Sequence, residues 1–178
     1  MRIIGGTLRG RRLSADPASA TRPTRDRVRE ALASALHARA LLADARVLDL
    51  FAGTGALGFE ALSRGAHSLL AVDHDAGAVA CIAANARALG IDAQARVLRL
   101  DLLGGSAKLA TVLRRTEPAP FTLVFADPPY ALSQRAAVML GELAAQALLA
   151  DGAVVAFEHG VKQPPARPAA FSELATYA

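Results

Sequence analysis

Five carboxylates recur along this 178-residue chain at the ends of short apolar runs, and they are the groups best placed to do chemistry. Asp49 follows Val47-Leu48, Asp73 follows Leu69–Val72, Asp101 follows Val97–Leu100, Asp127 follows Leu123–Ala126, and Glu158 follows Val154–Phe157. The intervals between them are 24, 28, 26 and 31 residues. Each is long enough for a strand, a helix and two loops, which is the period of repeated βα units and a parallel sheet. In such a sheet the strand C-termini share one edge, and ligands bind at that edge. A single one of these acids could be a helix cap. Five in register predict a cleft.

The first run continues into Asp49-Leu50-Phe51-Ala52-Gly53-Thr54-Gly55-Ala56-Leu57-Gly58, so Gly53, Gly55 and Gly58 spell G-x-G-x-x-G between a predicted strand and a predicted helix. Glycine suits a tight turn whose main chain a ligand must approach. Asp73 lies 20 residues beyond Gly53, the spacing of an acid that accepts ribose hydroxyls. A dinucleotide-dependent dehydrogenase has both features. Asp49 favours a different ligand, because an anion beside the turn repels a pyrophosphate and attracts a cation. S-adenosylmethionine offers an amino group and a sulfonium, a ribose for Asp73 and an adenine amine for Asp101.

The fourth run ends Asp127-Pro128-Pro129-Tyr130. Two prolines remove two N–H donors and hold the backbone extended, leaving carbonyls rigidly presented. The Asp127 carboxylate and the Pro128 carbonyl can then accept both N–H bonds of an exocyclic amine on a base, aiming its lone pair at a methyl carbon. Tyr130 can stack on the extruded base. Asp127, Pro128 and Tyr130 are accordingly the catalytic candidates. The same residues would suit adenine N6 of DNA or RNA, or a glutamine amide. A nicotinamide-dependent oxidoreductase and a non-catalytic RNA-binding protein on the same scaffold are further readings.

The elements that must position these groups are legible in outline. Near-continuous apolar strands are expected when helices cover both sheet faces. Ala56–Arg64 reads as a helix with Gly65 just past its end, and Asp75–Leu89 as a helix ending at Gly90. Ser133–Leu149 reads as a long helix closed by Asp151-Gly152. Before the first strand, Thr24 is expected to cap a helix with Val28, Leu32, Ala35 and Leu36 on one face. Ile3–Leu13, with Gly5-Gly6 and Gly10, reads as a flexible hairpin outside the core. Beyond the fifth strand the one further strand candidate is Glu173–Tyr177.

Composition narrows the class. With 53% hydrophobic and 20% charged residues the chain is globular, and its length fits one domain. No apolar run approaches the ~18–20 residues of a membrane span. The first residues lack the long apolar centre of a signal peptide, so a cytoplasmic protein is expected. Cys81 is the one cysteine, which excludes an intrachain disulfide, and it reads as a small buried helix residue. His37, His67, His74 and His159 show no ligand spacing, and no metal site is expected. Residues 1–30 hold eight arginines against Asp16, Asp26 and Glu30, whereas the rest of the chain is near neutral. Such an arm predicts contact with a polyanion through Arg2, Arg9, Arg11, Arg12, Arg22 and Arg25. The expected organisation is a basic arm over residues 1–20 and a single catalytic domain over 21–178.

The glycine turn with Asp49 and Phe51, Asp73, and Asp-Pro-Pro-Tyr together resemble class I methyltransferases that modify exocyclic amines. The blocks Met1–Leu13 (MRIIGGTLRGRRL) and Arg22–Leu32 (RPTRDRVREAL) resemble, more narrowly, the RsmD family of bacterial 16S rRNA guanine-N2 methyltransferases. The resemblance covers nearly the whole chain. It implies a Rossmann-like α/β domain with a mostly parallel, doubly wound, seven-stranded sheet, S-adenosylmethionine as donor, and a guanine of 16S rRNA within the 30S subunit or its assembly intermediate as acceptor. It places Asp49, Phe51, Gly53, Gly55, Asp73 and Asp101, with the adjacent His74 and Leu102, at the donor, and Asp127, Pro128 and Tyr130 at the acceptor. A monomer without metal or membrane attachment is expected. The family ends its sheet in a hairpin, so the final strand is expected to be missing from this sequence.

Overall fold

The computed structural model describes residues 1–14, 23–117, 120–160 and 164–176. Its strands are β1 (Arg46–Leu50), β2 (Ser68–Asp73), β3 (Ala95–Arg99), β4 (Phe121–Ala126) and β5 (Leu149–Phe157). They form one parallel sheet in the order β3-β2-β1-β4-β5. The helices are α1 (Pro23–Ala38), α2 (Ala56–Ser63), α3 (Ala76–Leu89), α4 (Ser106–Thr116) and α5 (Ser133–Ala145), with a 3-10 turn at Tyr130–Leu132. The chain lays down β1, β2 and β3 outward in one direction and then returns to place β4 on the other side of β1. The crevice beyond the C-terminal ends of β1 and β4 is therefore the topological switch point, where open α/β sheets bind ligands.

The absence of alternation in the strands has a direct cause. Val47, Leu69, Ala71, Leu123 and Phe125 pack on one face with Leu36, Phe59 and Ile82 from α1, α2 and α3. Leu48, Leu50, Leu70, Val72 and Val124 pack on the other with Leu109, Leu113, Leu140 and Leu143 from α4 and α5. Both faces are dry, so both sets of strand residues are apolar. Among the described residues no helix is long and apolar enough to cross a membrane.

The α2 and α3 boundaries follow the expected chemistry. Gly65 adopts φ 101° after α2, and α3 is capped by the Asp75 carboxylate, which accepts from Ala78 N at 2.7 Å, and ends at Gly90 with φ 74°. Elsewhere the structure corrects the sequence reading. The first helix begins at Pro23, whose fixed φ suits a first helical position, so Thr24 lies inside the helix and its side chain is outside the described residues. The helix is also rotated: Arg29, Ala33 and Leu36 are buried while Val28 is 51% exposed. The last helix stops at Ala145, Ala147 turns with φ 54°, and Leu149 already belongs to β5. Asp151-Gly152 does not close a helix. It lies in β5 where the register with β4 shifts, and Gly152 takes the positive φ of 74°. Residues 173–176 form no strand, so the described residues hold five strands and not the seven of the resemblance. Tyr177 lies outside the described residues.

The N-terminal segment is a hairpin, with Arg2 and Arg12 bridged antiparallel and Ile3 N donating to Arg11 O at 3.0 Å. It is not outside the core. Ile3 is 2% exposed and Leu13 4%, both within the cluster that packs on α2. The buried Glu60 carboxylate holds the hairpin by accepting from Ile4 N and Gly5 N, each at 2.8 Å. Gly6 approaches α2 so closely that a Cβ there would lie 1.8 Å from the Ser63 carbonyl oxygen. Only glycine fits that contact.

Candidate active site

Asp49 is the fourth of the five β1 residues, 3% exposed, and its Oδ2 accepts one hydrogen bond, from Gly58 N at 3.1 Å. Burial pushes its pKa up to about 7. The Gly58 N–H opposes that shift, and the negative charges of Asp127 and Asp73 reinforce it. Asp73 and Asp127, at the ends of the strands on either side of β1, thus both lie close enough to Asp49 for their negative charges to act on it. A cation placed among them would relieve both the repulsion and the desolvation.

The glycine turn is wound tightly against this cluster. Phe51, Gly53 and Gly55 take φ of 60°, 55° and 76°, and Gly55 is also the N-cap of α2. The left-handed Phe51 is strain of about 1–2 kcal/mol that the surrounding fold must hold in place. A Cβ at Gly55 would lie 2.7 Å from the Phe59 ring, and one at Gly58 would lie 2.5 Å from the Leu69 side chain. Those two glycines serve packing. Gly53 differs: nothing lies within 4 Å of where its Cβ would be, so its main chain borders open space.

Asp73 is the last residue of β2 and braces the turn. Its Oδ2 accepts from Gly53 N at 2.8 Å and its Oδ1 from Asp75 N at 3.0 Å. A carboxylate has about four acceptor positions, so these two backbone bonds leave capacity for a further donor. His74 Nδ1 sits 3.3 Å from Asp73 Oδ1 with its ring largely in solvent, and its carbonyl accepts from Arg99 Nε at 3.2 Å. Asp101 lies two residues past β3 and is exposed; its Oδ1 accepts from Leu103 N at 3.0 Å and shapes the loop. Leu102 is buried in the core on the α4–α5 face. Its main chain is therefore the part that can border a ligand.

Asp127 follows β4 directly and is partly buried, as Pro128 beside it is fully. Pro129 is extended (φ −50°, ψ 135°), and its carbonyl accepts from Leu132 N at 2.7 Å, closing the 3-10 turn that starts at Tyr130. Tyr130 is 64% exposed, with ring atoms 3.7–3.8 Å from where a Cβ of Gly160 would lie. Its ring lies beside Gly160, three residues past the end of β5, and most of its surface is exposed. Glu158, the fifth strand-end acid, continues the β4–β5 pairing by donating its N–H to Ala126 O at 2.9 Å.

Arg2, Arg9, Arg11 and Arg12 are exposed on the hairpin. Arg11 Nη2 donates to Ala88 O at 2.8 Å at the end of α3. Arg22 and the side chain of Arg25 lie outside the described residues. Sequence reasoning missed the buried polar residues Arg29, Thr54, Glu60 and Asn85. Arg29 Nη2 donates to Arg2 O at 2.8 Å. A signal existed for Asn85, which shares the i, i+3, i+4, i+7 stripe of Ile82, Ala86 and Leu89. Cys81 is only partly buried, its Sγ donating to Ser14 O at 3.3 Å.

The family whose description reads Conserved hypothetical protein 95 matches residues 1–176. YlbH of Bacillus subtilis (strain 168), provisionally named as an rRNA methyltransferase, is 36% identical over 159 residues, 89% of this chain and 82% of that protein. Ribosomal RNA small subunit methyltransferase D of Escherichia coli (strain K12) is 38% identical over 130 residues, 73% of this chain, and the match spans 60% of that relative's length. Among solved structures, yhhF of Escherichia coli, provisionally described as a methyltransferase, is 35% identical with a TM-score of 0.75, over 95% of this chain and 86% of its own. The Rossmann-like α/β architecture is thus the fold of its solved relatives, and the chain belongs to the Conserved hypothetical protein 95 family, the RsmD family that its N-terminal blocks and cleft motifs resemble.

Proposed function

We propose that this protein is an S-adenosylmethionine-dependent rRNA methyltransferase, transferring a methyl group to the exocyclic N2 of a guanine in 16S rRNA within the 30S subunit or an assembly intermediate of it. The observation that carries the donor assignment is the convergence of Asp49, Asp73 and Asp127 beside a glycine turn whose open side is at Gly53. A nicotinamide dinucleotide would set its pyrophosphate against three carboxylates, whereas a cationic donor is favoured there. The relative named Ribosomal RNA small subunit methyltransferase D supports the acceptor class.

When bound, the donor supplies an activated methyl group. The chain's own residues do the rest. Asp49 and the turn would hold the donor's cationic end, Asp73 its ribose hydroxyls, and the Asp101 loop its adenine amine. Asp127 and the Pro128 carbonyl would accept the two N–H bonds of the guanine amine, fixing its lone pair along the line of attack. Asp127 would also stabilise the positive charge that develops on that nitrogen, until the amine loses one N–H proton to solvent. Tyr130 would stack on the base. Positioning and electrostatics of this kind are worth several kcal/mol of barrier. No covalent enzyme intermediate is needed, and the Cys81 thiol is engaged with Ser14.

Calorimetric titration with S-adenosylmethionine, S-adenosylhomocysteine and NAD tests the donor assignment. The first two are expected to bind and NAD is not. The reverse order would overturn the proposal.

A further inference from the structure

Asn85 occupies a place that neither the turn nor the hairpin explains alone. It is buried on α3, and its amide bonds to groups from two other segments. Oδ1 accepts from Ser14 N at 2.8 Å, and Nδ2 donates to Ser14 O at 3.0 Å and to Thr54 O at 3.3 Å. Its contacts with Ser14 copy the paired N–H and C=O bonds of a neighbouring strand, so the end of the hairpin is docked on a side chain as if on a sheet edge. Thr54 is the residue between Gly53 and Gly55. A second link runs from the same turn to the other end of the hairpin, since Thr54 Oγ1 donates to Met1 Sδ at 3.8 Å and Leu13 N donates to Met1 O at 3.1 Å.

The hairpin carrying the exposed arginines and the turn bordering the three carboxylates therefore share a buried amide. We infer that Asn85 is a positioning residue that couples RNA engagement by the hairpin to the shape of the donor turn. Movement of the hairpin shifts Ser14 and Met1, and through Asn85 and Thr54 it shifts the main chain at Gly53, whose N–H is held by Asp73. Coupling of this sort is reciprocal: whatever RNA does to donor affinity, the donor does to RNA affinity by the same factor. The inference rests on the functional reading above and adds to it a route by which acceptor binding tunes donor binding.

The test is equilibrium dialysis of radiolabelled S-adenosylhomocysteine with and without saturating 30S subunits from cells that lack this gene. In the wild-type protein the two ligands are expected to change each other's affinity by about 5-fold or more, the usual lower range of such coupling. In Asn85→Ala each ligand alone is expected to bind within a few-fold of wild type, while the coupling factor falls towards one. A hairpin that merely stabilised the fold would leave that factor unchanged. Two results overturn the inference: wild-type protein that binds both ligands independently, or folded Asn85→Ala with the coupling intact. Wild-type protein that binds neither ligand points instead to failure of the functional reading, and removes the basis of the inference with it. Hydrogen exchange on the wild-type protein covers the case of an unfolded variant. Addition of 30S subunits is expected to alter protection in residues 52–58 as well as in 1–14, and a change confined to 1–14 contradicts the coupling.

Discussion

At the scale of single residues, Asp49 concentrates the physics of the cleft. Its carboxyl has an ordinary value of 3.8 and is raised to about 7 by burial in the folded chain. Between those values the unfolded state ionises while the folded state keeps its proton, so folding stability falls as pH rises from about 4 to 7 and levels off above. Asp49→Asn is expected to remove this slope. Urea midpoints at pH 5 and pH 8 should then diverge less in the variant, which at pH 8 gains on the order of 2–4 kcal/mol relative to wild type. An identical pH dependence in both proteins contradicts the assignment. Asp73→Ala is expected to weaken S-adenosylmethionine binding by about 10–150-fold, through loss of charge-assisted hydrogen bonds and of the brace on Gly53 N. Unchanged affinity by calorimetry in a folded variant would refute the ribose role. At the acceptor, Tyr130→Phe is expected to keep most activity and Tyr130→Ala to lose most of it, because stacking uses the ring and not the hydroxyl.

At the scale of elements, the hairpin shows where local sequence stops being informative. Gly5, Gly6 and Gly10 make this segment read as a flexible hairpin outside the core, because nothing nearby in sequence anchors it. Its anchor is Glu60, more than fifty residues away, and a contact of that separation leaves no local pattern. Removing residues 1–13 would strip Ile3 and Leu13 from the core and leave the Glu60 carboxylate buried without its two N–H donors, so truncation is a poor probe of RNA binding. Replacing Arg2, Arg9, Arg11 and Arg12 together by glutamine is the cleaner experiment. The fold should persist, while the log–log salt dependence of RNA binding loses about 3 units if each arginine meets a phosphate. An unchanged slope would mean the hairpin is only structural. The Asp151-Gly152 bulge misled for a related reason. A turn-like pair closes helices and also kinks strands, and only pairing with β4 decides between them.

At the scale of the whole molecule, the period of strand-end acids was readable because two dry sheet faces impose continuous apolar runs. The edge where ligands bind is then a consequence of topology. What could not be read was the set of links between that edge and the N-terminal hairpin, since Arg29, Glu60 and Asn85 are polar groups whose partners are fixed only once the layers pack. In the proposed function Asp127 orients an exocyclic guanine amine for direct methyl transfer. The most direct measurement is transfer of labelled methyl from S-adenosylmethionine to unmodified 30S subunits, with the product nucleoside identified by mass spectrometry, for wild type and Asp127→Ala. The wild-type protein is expected to yield N2-methylguanosine in 16S rRNA, and Asp127→Ala to be slower by about 10²–10⁴-fold, as loss of a positioned electrostatic partner implies, with donor affinity retained. N6-methyladenosine as the product, or wild-type turnover by Asp127→Ala, would contradict it.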